Sequence, residues 1–299
     1  MNRYMTIYCL LMSAMIHGQN LPDTSFHFTI QDPLFEKGKG PVVGIDEAHN
    51  NRHSMTTGLA PITELLQQDG FVVKRSTTSF TSAALSEFDV LIIVNPLHSS
   101  NLKNWTLPCP SAFSESEIEV LKEWVLDGGS LFLSADHMPY GGAVQVLATE
   151  FNVEWANCFD QTKKKRWPPA IFSRKDQMLV PGSLTDSSEY TFQIDRIGTF
   201  TGSAFKADSL NPFLKFDASY ELLFPEVAWQ FSKKTRKENA AEWLQGAYGK
   251  FGDGKVVFMG ESAMFTAQLR KKTEIGMNSR DIPQNKLLAI NIFRFLALD

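Results

Sequence analysis

Apolar residues along this chain fall into two alternating patterns from Pro41 onward. Pro41-Val-Val-Gly-Ile-Asp46 is a short apolar run ending in polar residues, the form of a buried parallel strand. Leu59, Ile62, Leu65 and Leu66 then repeat at helical spacing, and Gly70 ends that helix. Phe71-Val-Val-Lys74 and Val90-Leu-Ile-Ile-Val-Asn95 read as a second and third strand. Ser114 with Glu117 forms a capping box that opens a helix carrying Ile118, Leu121, Trp124 and Val125 on one face, stopped by Gly128-Gly129. Ser130-Leu-Phe-Leu-Ser134 is a fourth strand, and Gly142 to Phe151 the helix after it. Strands alternating with such helices predict βαβ units and a doubly wound, mainly parallel sheet, because parallel neighbours need a crossover connection.

The pattern becomes irregular and β-like from about 152 to 250, which reads as an insertion and not as a second core. It resumes at Lys255-Val-Val-Phe-Met259 and a final helix from about Gln284 to Leu298. Residues 41–299 are therefore expected to form a single α/β domain with an irregular β-rich insertion, preceded at 19–40 by an arm or linker. The first eighteen residues differ: Arg3 precedes an apolar run from Met5 to Ile16, and Ile16-His17-Gly18 offers a cleavage site. Residues 1–18 read as a signal peptide, the protein as secreted or periplasmic, and the mature chain as lacking a transmembrane segment.

Composition narrows the function classes. The hydrophobic share is 43% and the charged share 21%, enough apolar material for a substantial core. A net charge of −4 gives no footprint for nucleic acid, and the basic run Lys163-Lys164-Lys165-Arg166 reads as a solvated loop before Trp167. Cys109 and Cys158 remain after the signal, and a disulfide or two buried thiols are both open. Neither cysteine has the setting of a nucleophile. Asp46-Glu-Ala-His49 spells a helicase box, but the chain has no phosphate-binding loop to go with it. Gly249-Lys-Phe-Gly-Asp-Gly254 precedes a strand and reads as a hairpin-like turn.

Ligands of open α/β sheets bind beyond the carboxyl ends of the strands, and here those ends are polar. The first strand runs into Asp46, Glu47, His49, Asn50 and His53, the third into Asn95 and His98, the fourth into Asp136 and His137, and the late strand into Glu261. In a parallel sheet, His49, His53, His98 and His137 would converge on one edge. Taken singly, a loop histidine is usually a hydrogen-bonding surface residue, and Asp136 or Glu261 could simply cap the next helix. Two chemistries suit a shared site. His49 and His53 are candidate ligands for a divalent metal such as zinc, which would activate water. Alternatively His137 beside Asp136 acts as a general base, assisted by Glu47 and Glu261, with Asp46, Asn50, Asn95 and His98 binding a polar ligand.

Four strings carry a family resemblance: Val43-Gly-Ile-Asp-Glu-Ala-His49, Gly128-Gly-Ser-Leu-Phe-Leu-Ser-Ala-Asp-His-Met-Pro139, Phe200-Thr-Gly-Ser-Ala204 and Gly260-Glu-Ser-Ala-Met-Phe265. From Pro41 to Leu298 the chain resembles the class I glutamine amidotransferase-like superfamily, in particular its secreted bacterial branch. The resemblance implies a flavodoxin-like sheet with the site at the strand ends. Where true amidotransferases carry a cysteine nucleophile, this chain has Ala135-Asp136-His137, so glutaminase chemistry is not expected. The expectation is a secreted hydrolase, metal-dependent or not, acting on a polar small molecule or glycan. The alternative is a non-catalytic binding or assembly module of the cell envelope, with Trp155, Trp167, Trp229 and Trp243 as contact surface or as core.

Overall fold

The structure is a computed structural model that describes residues 20–164, 168 and 170–298. The signal-like segment and Trp167 lie outside these residues.

The predicted strands form where the apolar runs place them: β1 (Val42–Asp46), β2 (Val72–Ser76), β3 (Val90–Val94) and β4 (Ser130–Ser134). Between them stand α1 (Ala60–Gln68) and α2 (Glu115–Leu126), and α3 (Tyr140–Thr149) follows β4. The capping box is formed, Ser114 accepting from the Glu117 N–H while Glu117 accepts from the Ser114 N–H. The α3 helix starts earlier than its apolar pattern suggests, because Pro139 stands at its N-cap and a proline there costs no hydrogen bond.

Residues 152–250 do not lie apart from this sheet. They supply β5 (Glu154–Ala156), β6 (Ala204–Lys206), β7 (Asn211–Lys215) and β8 (Leu244–Phe251), and β9 (Gly254–Met259) follows. One nine-stranded sheet results, in the order β2-β1-β3-β4-β9-β8-β6-β5, with β7 also paired to β8. The strands β2, β1, β3, β4 and β9 are parallel, and β8 turns antiparallel through a hairpin in which Phe251 faces Gly254. The glycine-rich stretch is thus a hairpin turn.

The irregular signal of this region has a physical origin. Its strands are short, and several belong to small separate sheets, such as Tyr220–Phe224 between Arg236–Asn239 and Phe159–Thr162. Helices cover both faces of the main sheet. Val43, Ile45, Ile92, Phe132 and Val257 pack with α1 and with the last helix, α4 (Asn285–Ala297), while Leu91, Ile93, Leu131, Leu133 and Phe258 pack with α2 and α3. Such alternation follows from successive strand side chains pointing to opposite faces.

The expected arm is docked. Leu21 pairs with Leu269, Ile30 is buried, and the Leu34 N–H donates to Asp69 Oδ1 at 2.8 Å. Arg294 of α4 is buried against Asp69, donating to it at 2.6 and 2.8 Å, and also reaches the Asp32 carbonyl at 2.8 Å. Cys109 and Cys158 are free thiols. Among the described residues, no helix is long and apolar enough to cross a membrane.

Candidate functional site

The carboxyl ends of β3, β4 and β9 are tied into one knot by Asn95. Its Oδ1 accepts the Asp136 N–H at 2.8 Å, and its Nδ2 donates to Asp136 Oδ2 and to Ser262 Oγ, both at 2.8 Å. Asn95 sits in the left-handed region at φ +48°, which asparagine tolerates better than most residues. The Ser262 N–H donates to the other Asp136 oxygen at 2.6 Å. Asp136 is therefore a buried carboxylate held on both oxygens, 9% exposed at the tip of β4.

The segment Phe200–Ala204 crosses over this knot. Asp136 bridges to Gly202, the Ser203 N–H donates to the Gly260 carbonyl at 2.7 Å, and Ser203 Oγ donates to the Ala135 carbonyl at 2.8 Å. A side chain at Gly202 would collide with the Gly260 carbonyl, its Cβ falling 2.1 Å away, so the crossing needs glycine. Beneath it, Asp160 accepts the Gly202 N–H at 2.7 Å and Gln245 Nε2 at 2.9 Å. Burial outweighs those bonds and, with the Asp136 charge, pushes the Asp160 carboxyl up to about 6.

His137, 8% exposed, lies between aromatic rings. Phe159 stacks on it at 4.4 Å and 6°, and Trp229 stands edge-on at 4.6 Å. Its Nδ1 donates to the Met138 carbonyl at 2.7 Å, which puts the lone pair on Nε2. Burial lowers its pKa against the pull of Asp136, and burial, with the charge of Arg52 adding to it, likewise lowers that of His53 against the pull of Asp136. The His53 ring packs over Gly58, where a side chain would meet it at 2.0 Å. Tyr140, at the start of α3, is buried beside the pair, and its phenol is raised by burial against the charge of Arg52. Among the described residues, His53, His137 Nε2 and the Tyr140 hydroxyl have no hydrogen-bond partner.

The other candidates are placed elsewhere, and the expected convergence of four histidines is corrected to two. His49 is closed on both sides: Nδ1 lies 2.9 and 3.0 Å from the Asp46 oxygens, and Nε2 lies 3.0 Å from Glu117 Oε1. Phe80 and Phe113 flank the ring at 4.5 and 4.7 Å. Burial works against a charged His49, yet the two carboxylates together raise its pKa, and with a carboxylate oxygen on each ring nitrogen neither nitrogen is open to a metal. Among the described residues, no three His, Cys, Asp or Glu side chains are grouped to hold a metal ion. His98 caps a helical turn, accepting the Ser100 N–H on Nδ1 at 3.2 Å.

The Glu47 carboxylate takes the Arg75 guanidinium and, at 2.8 Å, the Met55 N–H. Asn50 Nδ2 donates to the Leu97 carbonyl at 3.0 Å. Glu261 is fully buried and accepts the N–H groups of Phe200, Ala263 and Met264 at 3.0 to 3.2 Å. It thus anchors the crossing segment, and burial together with Asp136 raises its pKa well above the usual carboxylate range.

Tyr140, Arg52 and Asp160 were absent from the sequence reading. Pro139 was the available signal for Tyr140, since a proline at a helix start places the next residue on the first turn. Asp160 lies in the irregular region, where no pattern marks it. Of the tryptophans, Trp155 and Trp243 are core residues and Trp229 is 46% exposed.

No family model matches the chain, and no curated protein matches it. Among solved structures, the mmIFT52 N-terminal domain is similar with a TM-score of 0.60 at 16% identity, over 86% of this chain and 98% of that one. A putative ThuA-like protein from Bacteroides uniformis ATCC 8492 has a TM-score of 0.44 at 11% identity, over 90% and 94% of the two chains. The exo-beta-1,4-mannosidase Op5Man5 from Opitutaceae bacterium strain TAV5 has a TM-score of 0.42 at 13% identity, over 87% of this chain and 36% of that one. The first of these likenesses speaks for a shared fold and for nothing more.

Proposed function

We propose that the protein is a secreted hydrolase acting on a polar small molecule or glycan, with the centre around Asp136 as its active site. Its architecture is read as the flavodoxin-like, doubly wound sheet of the amidotransferase-like superfamily, in a branch without the cysteine nucleophile. The observation that carries the functional reading is the polarity gathered at one point: His53, His137 Nε2 and the Tyr140 hydroxyl lie in the field of a fixed carboxylate and have no hydrogen-bond partner among the described residues. These atoms are not sealed from solvent, so they are open to a ligand, and a ligand that displaces water from them must pair them.

The chemistry follows from the protonation states. A neutral His137 with its Nε2 lone pair open takes a proton from an attacking water, and the Asp136 charge stabilises the imidazolium that forms. The water oxygen bonds to the electrophilic carbon as the bond to the leaving group breaks, and His137 returns the proton to that group. Tyr140, kept protonated by burial, is a hydrogen-bond donor for a developing oxyanion. Arg52 supplies positive charge at the same place.

A panel of chromogenic glycosides and esters tests this. Hydrolysis of at least one member is expected, with turnover reduced by about a hundredfold or more in His137→Ala, the usual worth of a general base. No hydrolysis across the panel, or equal turnover in His137→Ala, would contradict it. Secretion rests on the apolar run from Met5 to Ile16, and N-terminal sequencing of exported protein is expected to begin near Gln19. The alternative, a non-catalytic binding or assembly module of the cell envelope, uses the same centre to hold a ligand and is favoured by the exposed Trp229.

A further inference from the structure

A cavity of about 710 Å³ opens beside His137, between the Phe159–Thr162 strand and the segment that follows Trp229. Its walls carry two costs that packing does not explain. Trp229 adopts φ +66° and Thr201 φ +124°, conformations unusual for bulky and β-branched residues. Both residues line the cavity, and Trp229 and Phe231 leave 46% and 45% of their surfaces exposed there. Phe159 joins them, 4.8 Å from Trp229 and 5.1 Å from Phe231, edge to face in both cases. Backbone strain that presents an aromatic ring to solvent is characteristic of ligand sites.

The polar part of the lining restricts the ligand. The Gln161 amide and the Thr201 hydroxyl have no hydrogen-bond partner among the described residues, and Lys233 has no ion-pair partner among them. A flat apolar ligand would leave the amide and hydroxyl unpaired, at a cost. A cation would meet Lys233, whereas Lys237 is paired with Glu221 at 2.9 Å and the Asp160 carboxylate in the wall is engaged by Gly202 and Gln245. A ring with an apolar C–H face and a rim of hydroxyls satisfies both kinds of wall, and a carboxylate on it would pair with Lys233.

We infer that this cavity is a saccharide subsite feeding the Asp136 centre, with Trp229 as the stacking platform and Lys233 selecting uronate-bearing sugars. The inference rests on the proposed function for the reaction, and on the cavity itself for the ligand. It extends that function by naming the substrate class.

The test titrates the full chain with a uronate tetrasaccharide and with a neutral hexose tetrasaccharide, reading calorimetry and tryptophan fluorescence. The uronate is expected to bind more tightly than the neutral sugar and to quench fluorescence. Trp229→Asn, which suits the left-handed backbone, should retain the folded circular dichroism spectrum, abolish the quenching and weaken binding by about tenfold, the loss of roughly one stacking contact. Lys233→Ala should bring uronate affinity down to that of the neutral sugar.

No binding of either sugar, or binding unchanged in Trp229→Asn, overturns the inference. Turnover measured in parallel separates it from the broader reading. Binding through Trp229 with turnover indifferent to His137→Ala supports the subsite and defeats the hydrolase. His137-dependent turnover of another compound, with neither sugar bound, does the reverse.

Discussion

His49 and His137 show how neighbours decide what a histidine does. His49 is sandwiched between Asp46 and Glu117, whose charges overcome burial and keep it protonated. For Glu117, burial acts upward, but the hydrogen bonds from Ser114 and His49 prevail and take its carboxyl down to about 2. The linkage has a definite sign. A raised histidine contributes stability that is complete below its ordinary value of 6.5 and lost as pH climbs through the raised one, while a lowered carboxyl contributes above 4.5 and loses it as pH falls towards 2. His49→Gln, which leaves two buried carboxylates without a cation, is expected to cost about 3–5 kcal/mol. Urea unfolding in strong acid, mild acid and alkali checks this: the gap between wild type and variant should be widest in mild acid. A gap that does not vary with pH would show that His49 carries no charge. Both histidines follow a buried strand in the sequence, and the second carboxylate that closes His49 comes from α2, at a separation of 68 residues that no local pattern records.

At the scale of elements, the proposed active centre depends on loops held by side chains from neighbouring strands. Asn95 is the clearest case, since its one side chain reaches from the end of β3 to both Asp136 after β4 and Ser262 after β9. Asn95→Gly keeps the left-handed backbone and loses only the side-chain bonds, whereas Asn95→Ala loses the bonds and adds strain. Alanine is therefore expected to be the worse of the two by about 1 kcal/mol, measured as the difference in thermal unfolding. Equal losses would mean that the backbone at Asn95 is not constrained. The strands and helices of the parallel half were legible because each buries a continuous run or a periodic face. The strands β5, β6 and β7 were not, because they are only three to five residues long, too short to show a period, and β8 is interrupted by Gly246 and Gly249. Asp136 and His137 were legible from their place after β4. Asp160 was hidden in that same irregular region, whereas Thr201 lies in the Phe200–Ala204 string and Trp229 was an expected contact or core residue; all three line the cavity beside His137.

Over the whole molecule, the last helix closes the fold against its beginning. Arg294 holds Asp69 at the end of α1 and the Asp32 carbonyl of the N-terminal arm, with both charged groups almost wholly buried. Arg294→Met would strand the Asp69 carboxylate and is expected to cost about 3–5 kcal/mol by urea unfolding, far more than loss of a surface pair such as Lys122 with Glu150. Replacing Asp69 as well, with Leu, should recover much of that loss, and no recovery would mean that the arginine acts through its packing alone. The sheet itself brings the centre around Asp136 together: the loop after β1 delivers His53, β3 delivers Asn95, β4 delivers Asp136 and His137, and the segment after β9 delivers Ser262. The claim on which the functional account stands is that His53 and His137 are neutral and share the field of Asp136. Histidine-resolved NMR titration of the wild type and Asp136→Asn measures it directly. Removing the carboxylate should lower both pKa values further; two histidines that titrate identically with and without Asp136 would contradict a common centre.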